Sequence, residues 1–198
     1  KAAVFGAVLG DVDDSDFTLG TDANGDMNIA VRNNRGKISA VTDGIAMYYK
    51  KVDITEHFTL TATVKVNKIF ANDQVSFGLM VRDDCYIDKN MPDILGDYVA
   101  APLFITRGEK ATATFARRSG QLVLGKDTNE VIKEGGEYEL MLSSSSDGYA
   151  AKFGKGDVIT GGYDFKLTAI DPAHVYVGMF VSRNADVIFS NIKYTKNE

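Results

Sequence analysis

The chain has 198 residues, with 22 Lys and Arg against 27 Asp and Glu, a formal net charge of −5 and a pI near 5.1. This acidic balance, with no Lys/Arg run longer than two residues, excludes a general nucleic-acid binder, which needs a concentrated basic surface to neutralise phosphates. No segment approaches the roughly 20 apolar residues that span a bilayer, and the lone Cys85 excludes an internal disulfide.

A hydrophobic fraction of 44% and a charged fraction of 25% are ordinary for a globular chain, and the length suits one β-sandwich domain over residues 1–198. Nineteen Gly against three Pro favour many tight turns. Near the start, Asp11-Val-Asp-Asp-Ser-Asp16 and Asp22-Ala-Asn-Gly-Asp26 are acidic clusters in predicted turns. Strands are then predicted over 27–32 and 45–50. The period-2 signal is clearest over 58–67, where Phe58, Leu60, Ala62, Val64 and Val66 share one face and Thr59, Thr61, Thr63 and Lys65 the other.

The strand predicted over 75–82 alternates in the same way, with Ser76, Gly78, Met80 and Arg82 as its outward set. A long surface excursion over 83–97 follows, then strands over 98–105, 112–117, 121–124 and 138–143. A hairpin turn over 143–148 leads to a strand over 149–153. Two strands over 175–182 and 187–194 close the chain. In the last, the inward set shifts from Val187 and Phe189 to Ile192 and Tyr194, which predicts a β-bulge near Ser190-Asn191. About a dozen strands with no helical period call for two stacked antiparallel sheets, an all-β jelly-roll sandwich.

Candidate chemistry is sparse, and no catalytic residues are assigned. His57 and His174 each sit at a strand entry and read as surface or capping residues. Glu137 and Glu139 share one face, as a glycosidase pair would, but beside Gly135-Gly136 they read as a solvated strand edge. Cys85 reads as a small buried hydrophobe. The acidic clusters could supply oxygen ligands to calcium; Asp22–Asp26 lacks a distal bidentate Glu and reads as an Asx-rich turn. Structural calcium is therefore the one cofactor to look for.

Sugar recognition would draw on aromatic faces and planar polar groups. With no Trp, the aromatic candidates are Tyr48, Tyr49, Tyr86 and Tyr98. Arg82-Asp83-Asp84 and Arg117-Arg118 offer bidentate contacts to a carboxylate, or act as loop clamps through neighbouring Asp residues. Gly78 beside Arg82 leaves room for a ligand on the outward face.

The order of Asp43-Gly-Ile-Ala-Met-Tyr-Tyr49, Phe58-Thr-Leu-Thr-Ala-Thr-Val64 and Val75-Ser-Phe-Gly-Leu-Met-Val-Arg-Asp-Asp84 resembles concanavalin-A/laminin-G-like sandwich modules of bacterial secreted polysaccharide-degrading proteins. The closing Val177-Gly-Met-Phe-Val181 and Val187-Ile-Phe-Ser-Asn-Ile-Lys-Tyr194 fit their last strand pair. Tyr86-Ile-Asp88, Gly96-Asp-Tyr-Val-Ala-Ala101 and Phe115-Ala-Arg-Arg118 are similar to non-catalytic accessory modules of bacterial pectate lyases. The resemblance implies a secreted or cell-surface module that binds pectin or a related plant cell-wall glycan, tethered to a catalytic domain. Two other readings stand beside it: a structural or adhesion spacer without a sugar site, and a weak polysaccharide lyase or hydrolase. Fold alone does not choose among them.

Overall fold

A computed structural model of the protein describes residues 2–6, 15–38, 43–70, 74–85, 97–107, 110–118, 122–127, 130–163, 167 and 170–198. Among these residues the chain forms strands β1 (Ala2–Gly6), β2 (Phe17–Thr21), β3 (Met27–Val31), β4 (Lys37–Ile38), β5 (Asp43–Asp53), β6 (Phe58–Ile69), β7 (Val75–Arg82) and β8 (Tyr98–Arg107). They continue with β9 (Lys110–Arg118), β10 (Leu122–Asp127), β11 (Glu137–Ser145), β12 (Gly148–Phe153), β13 (Ile159–Gly161), β14 (His174–Arg183) and β15 (Ala185–Lys196). No helix among them is long and apolar enough to cross a membrane.

The strands form two antiparallel sheets. The first runs β1-β5-β14-β7-β8-β9-β10, with β4 also paired to β5; the second runs β13-β12-β11-β6-β15-β3-β2. The main core lies between them. On β6 the predicted alternation holds: Phe58, Leu60, Ala62, Val64 and Val66 are buried and the Thr residues between them are only half-buried. From the first sheet Phe77, Leu79, Val81, Val177 and Val181 meet them. Phe77 packs on Phe104 at 4.9 Å and on Phe153 of the opposite sheet at 6.5 Å.

The expected bulge in the last strand is present. The β15–β6 register shifts between Ser190 and Lys193, and Asn191 takes a φ of 50°, a left-handed value that Asn tolerates better than most residues. This resets which side chains face the core. The hairpin is also as expected, with Ser145 opposite Gly148 across a two-residue turn.

The outward set of β7 requires a correction. Ser76, Gly78, Met80 and Arg82 are not on an exposed face, because all eight residues of β7 are buried. Ile45 and Met47 of β5, Leu103 of β8 and Phe180 of β14 pack with Met80 into a second apolar cluster on that side. Gly78 leaves room for backbone rather than for a ligand: a Cβ there would lie 2.1 Å from the carbonyl oxygen of Pro102, where the β7–β8 register shifts. Gly78→Ala is expected to destabilise the fold by about 2 kcal/mol or more, since overpacking forces the backbone to move. Equilibrium denaturation of the variant measures this.

Strands β1, β2, β4 and β13 were not predicted. All but β4 end a sheet, and β4 is two residues long. Edge strands pair on one side only and carry a weaker alternation signal.

Candidate functional site

The first sheet brings several predicted residues into one row. Lys51, Tyr176, Arg82, Tyr98 and Arg118 occupy matched register positions across β5, β14, β7, β8 and β9. Arg117 takes the neighbouring position, paired with Val99. Arg82 is 0% exposed. Its Nε donates to the carbonyl oxygen of Asp84, and its guanidinium lies 6.0 Å from the Tyr98 ring centroid. It acts as a loop clamp through the Asp84 backbone carbonyl.

Asp83 is equally buried, and its N–H donates to the Asp97 carbonyl at 3.1 Å. Among the described residues its carboxylate oxygens have no hydrogen-bond partner, and burial pushes its pKa up to about 6 against the opposing pull of the nearby Asp97 backbone and of the Arg82 charge. Tyr98 is also sealed from solvent. Arg82, Asp83 and Tyr98 therefore brace the strand end without meeting bulk solvent, and Asp84 is half-buried beside them. Tyr86 lies outside the described residues, as does most of the excursion after β7. Tyr48 sits apart, near Thr21, Met179 and Tyr194, where the sandwich opens into a cleft of about 150 Å³.

The acidic turn at Asp22 behaves as its Asx-rich sequence suggests. Asp22 Oδ1 accepts from the N–H groups of Asn24 at 2.8 Å and Asp26 at 3.0 Å. Residues 11–14 of the first acidic cluster lie outside the described residues. Among the described residues no three His, Cys, Asp or Glu side chains converge as a metal set. Glu137 and Glu139 project into solvent from β11, which lies inside its sheet between β12 and β6 rather than at an edge.

At the sandwich end, Asp171 collects the entry to β14. It accepts from the Tyr176 hydroxyl at 2.7 Å and from the N–H groups of Ala173 and His174 at 3.0 and 3.1 Å. His174 Nδ1 lies 3.2 Å from Asp171, and Lys51 Nζ 3.8 Å away. His174 thus has the capping place expected of it. The Tyr176 hydrogen bond, with the backbone donors and His174, holds the Asp171 carboxyl well below the usual carboxylate range. A depressed native pKa stabilises above the unfolded value of about 3.9 and is lost as pH falls below it. Asp171→Asn is therefore expected to flatten the acid limb of stability below about pH 4, read from urea midpoints across that range.

The same end holds an apolar cleft of about 590 Å³, within the roughly 300–1,000 Å³ of ligand sites. An Asx turn builds one wall: Asp53 Oδ1 accepts from the Thr55 N–H at 2.8 Å and the Thr55 hydroxyl at 2.6 Å. That turn leaves Ile54 38% exposed and sets Glu56 and His57 along the lining. Ser144 accepts from the Phe58 N–H at 3.1 Å and fixes the floor. Tyr163, 46% exposed, stands edge-on to Tyr149 with ring centroids 4.9 Å apart. Leu167, Pro172 and Val175 complete the apolar side.

Glu56 is held in place from behind. The Tyr194 hydroxyl donates to its Oε1 at 2.5 Å and Lys196 lies 3.1 Å from Oε2, keeping its carboxyl below the usual range. Sequence reasoning placed His57 at the surface but missed Tyr163, Tyr149 and Glu56 as a group. They come from separate segments, and Tyr163 follows Gly161-Gly162 outside any alternating run.

Residues 10–100, just under half of the chain, match the family model described as the pectate disaccharide-lyase N-terminal domain. A pectate lyase L from Thermoclostridium stercorarium is 27% identical over 86% of this chain and 15% of its own length. A pectate disaccharide-lyase from Dickeya chrysanthemi is 26% identical over 84% and 27%. The chain thus spans a small part of the curated relatives it matches. A functionally unknown protein from Saccharomyces cerevisiae superposes with a TM-score of 0.65 at 13% identity, covering 91% of this chain and 92% of its own. The carbohydrate-binding module CBM66 from Bacillus subtilis does so with a TM-score of 0.57 at 12% identity, covering 90% and 91%. The chain thus has the all-β jelly-roll sandwich fold, and in sequence it is similar to part of two pectate lyases and, over residues 10–100, to the pectate disaccharide-lyase N-terminal domain.

Proposed function

We propose that this module binds carbohydrate through the cleft at the sandwich end and performs no bond cleavage of its own. The observation that carries this reading is the exposed Tyr163 ring standing against Tyr149 beside Glu56, His57 and Thr55. An aromatic face receives the C–H surface of a sugar ring, and the neighbouring polar groups meet its hydroxyls. The relationship to pectate lyases supports a plant cell-wall polysaccharide of the pectin class as the target. It also supports a place outside the cell, tethered to a catalytic domain in a longer chain.

The test is binding to homogalacturonan, rhamnogalacturonan and neutral plant polysaccharides, with calcium and with chelator, while product release is monitored. Saturable binding without product is the expected result. Failure to bind any glycan under either condition would sink the proposal. It would favour a spacer module, a reading to which the polar outer face of the second sheet lends support, with Thr59, Thr61, Thr63, Lys65, Glu137 and Glu139 facing away from the core.

A further inference from the structure

We infer that the end cleft selects neutral sugar rings over uronates, an inference that rests on the carbohydrate-binding reading above. Among the described lining residues there is one carboxylate, Glu56, and no Lys or Arg. Three described lysines at this end already have partners. Lys196 pairs with Glu56 at 3.1 Å, Lys51 with Asp171 at 3.8 Å, and Lys50 lies over the Tyr194 ring at 5.0 Å. A uronate seated on Tyr163 would bring its carboxylate toward Glu56 and give up hydration with no Lys or Arg among the described lining residues to replace it.

A neutral ring meets no such obstacle. The Glu56 oxygens accept hydrogen bonds. Thr55, whose hydroxyl proton points to Asp53 Oδ1 at 2.6 Å, presents an acceptor oxygen. The Tyr149–Tyr163 corner with Ile54 and Pro172 offers an apolar seat for the ring face. On a pectin-class polymer this directs the module to neutral side chains or to esterified stretches of backbone, away from free acid. The net charge of −5 acts in the same direction at long range.

The experiment is calorimetry of the 198-residue chain with galactotriose, arabinotriose, trigalacturonate and the trigalacturonate methyl ester, at low and physiological salt. At least one neutral trisaccharide or the methyl ester is expected to bind at least tenfold more tightly than the free acid. The gap should narrow as salt screens Glu56. Tyr163→Ala is expected to weaken the neutral ligand at least tenfold, and His57→Ala to weaken it with the fold intact by circular dichroism. Trigalacturonate binding as tightly as its ester would overturn the selectivity while leaving carbohydrate binding in place. Full affinity retained in Tyr163→Ala would overturn the assignment to this cleft. If none of the four probes binds, the carbohydrate reading falls with it.

Discussion

Phe77→Ala is expected to lower the unfolding free energy by about 3–5 kcal/mol, the usual range for deleting a buried aromatic ring. The ring is fully buried and contacts Phe104 within its own sheet and Phe153 across the sandwich. Its removal therefore costs apolar burial, leaves a cavity between the sheets, and ends two aromatic contacts at once. Because β7 is buried on both faces, the void has no solvent-facing side through which it can collapse. Denaturant unfolding should show a lower midpoint with a slope close to wild type. A loss under about 1 kcal/mol would mean that the sheets close over the gap.

The second large effect is at Arg82. Arg82→Ala is expected to cost about 3 kcal/mol or more, because it removes the hydrogen bond to the Asp84 carbonyl and the positive charge that favours the buried Asp83 carboxylate. Arg82→Met restores much of the volume and none of the charge, so the difference between the two variants separates packing from electrostatics. Arg82→Lys is expected to recover only part of the loss, since a point charge on a flexible stem does not reproduce the fork of a guanidinium. Glycan affinity should be unchanged in any of the three that folds. A folded Arg82→Lys that loses binding would return Arg82 to the ligand site.

Much of the sandwich can be read from strands whose two faces differ. On β6 the Thr residues mark the solvent side, and on β15 the slip from Val187 and Phe189 to Ile192 and Tyr194 marks the bulge in the sequence itself. The face of β7 that carries Arg82 was harder. Ser76, Gly78, Met80 and Arg82 look polar and small in isolation, and the residues that cover them belong to other strands. The one hint lies in Ile45-Ala-Met47, a continuous apolar run of the kind that marks a strand buried on both sides. The end cleft left no local trace, since its walls come from separate places, residues 54–58 with Ser144, Tyr149, Tyr163, Leu167, Pro172 and Val175. Each of those stretches alone reads as an ordinary turn or strand end.

The strands that end the two sheets also bear on how the module behaves in company. β13 is three residues long and runs into Gly161-Gly162, β1 and β2 are five residues each, and β10 is six. Such stubs give a passing strand few backbone groups to pair with in succession. Many copies crowded along one polymer would then sit side by side as separate particles, without fusing into a continuous sheet.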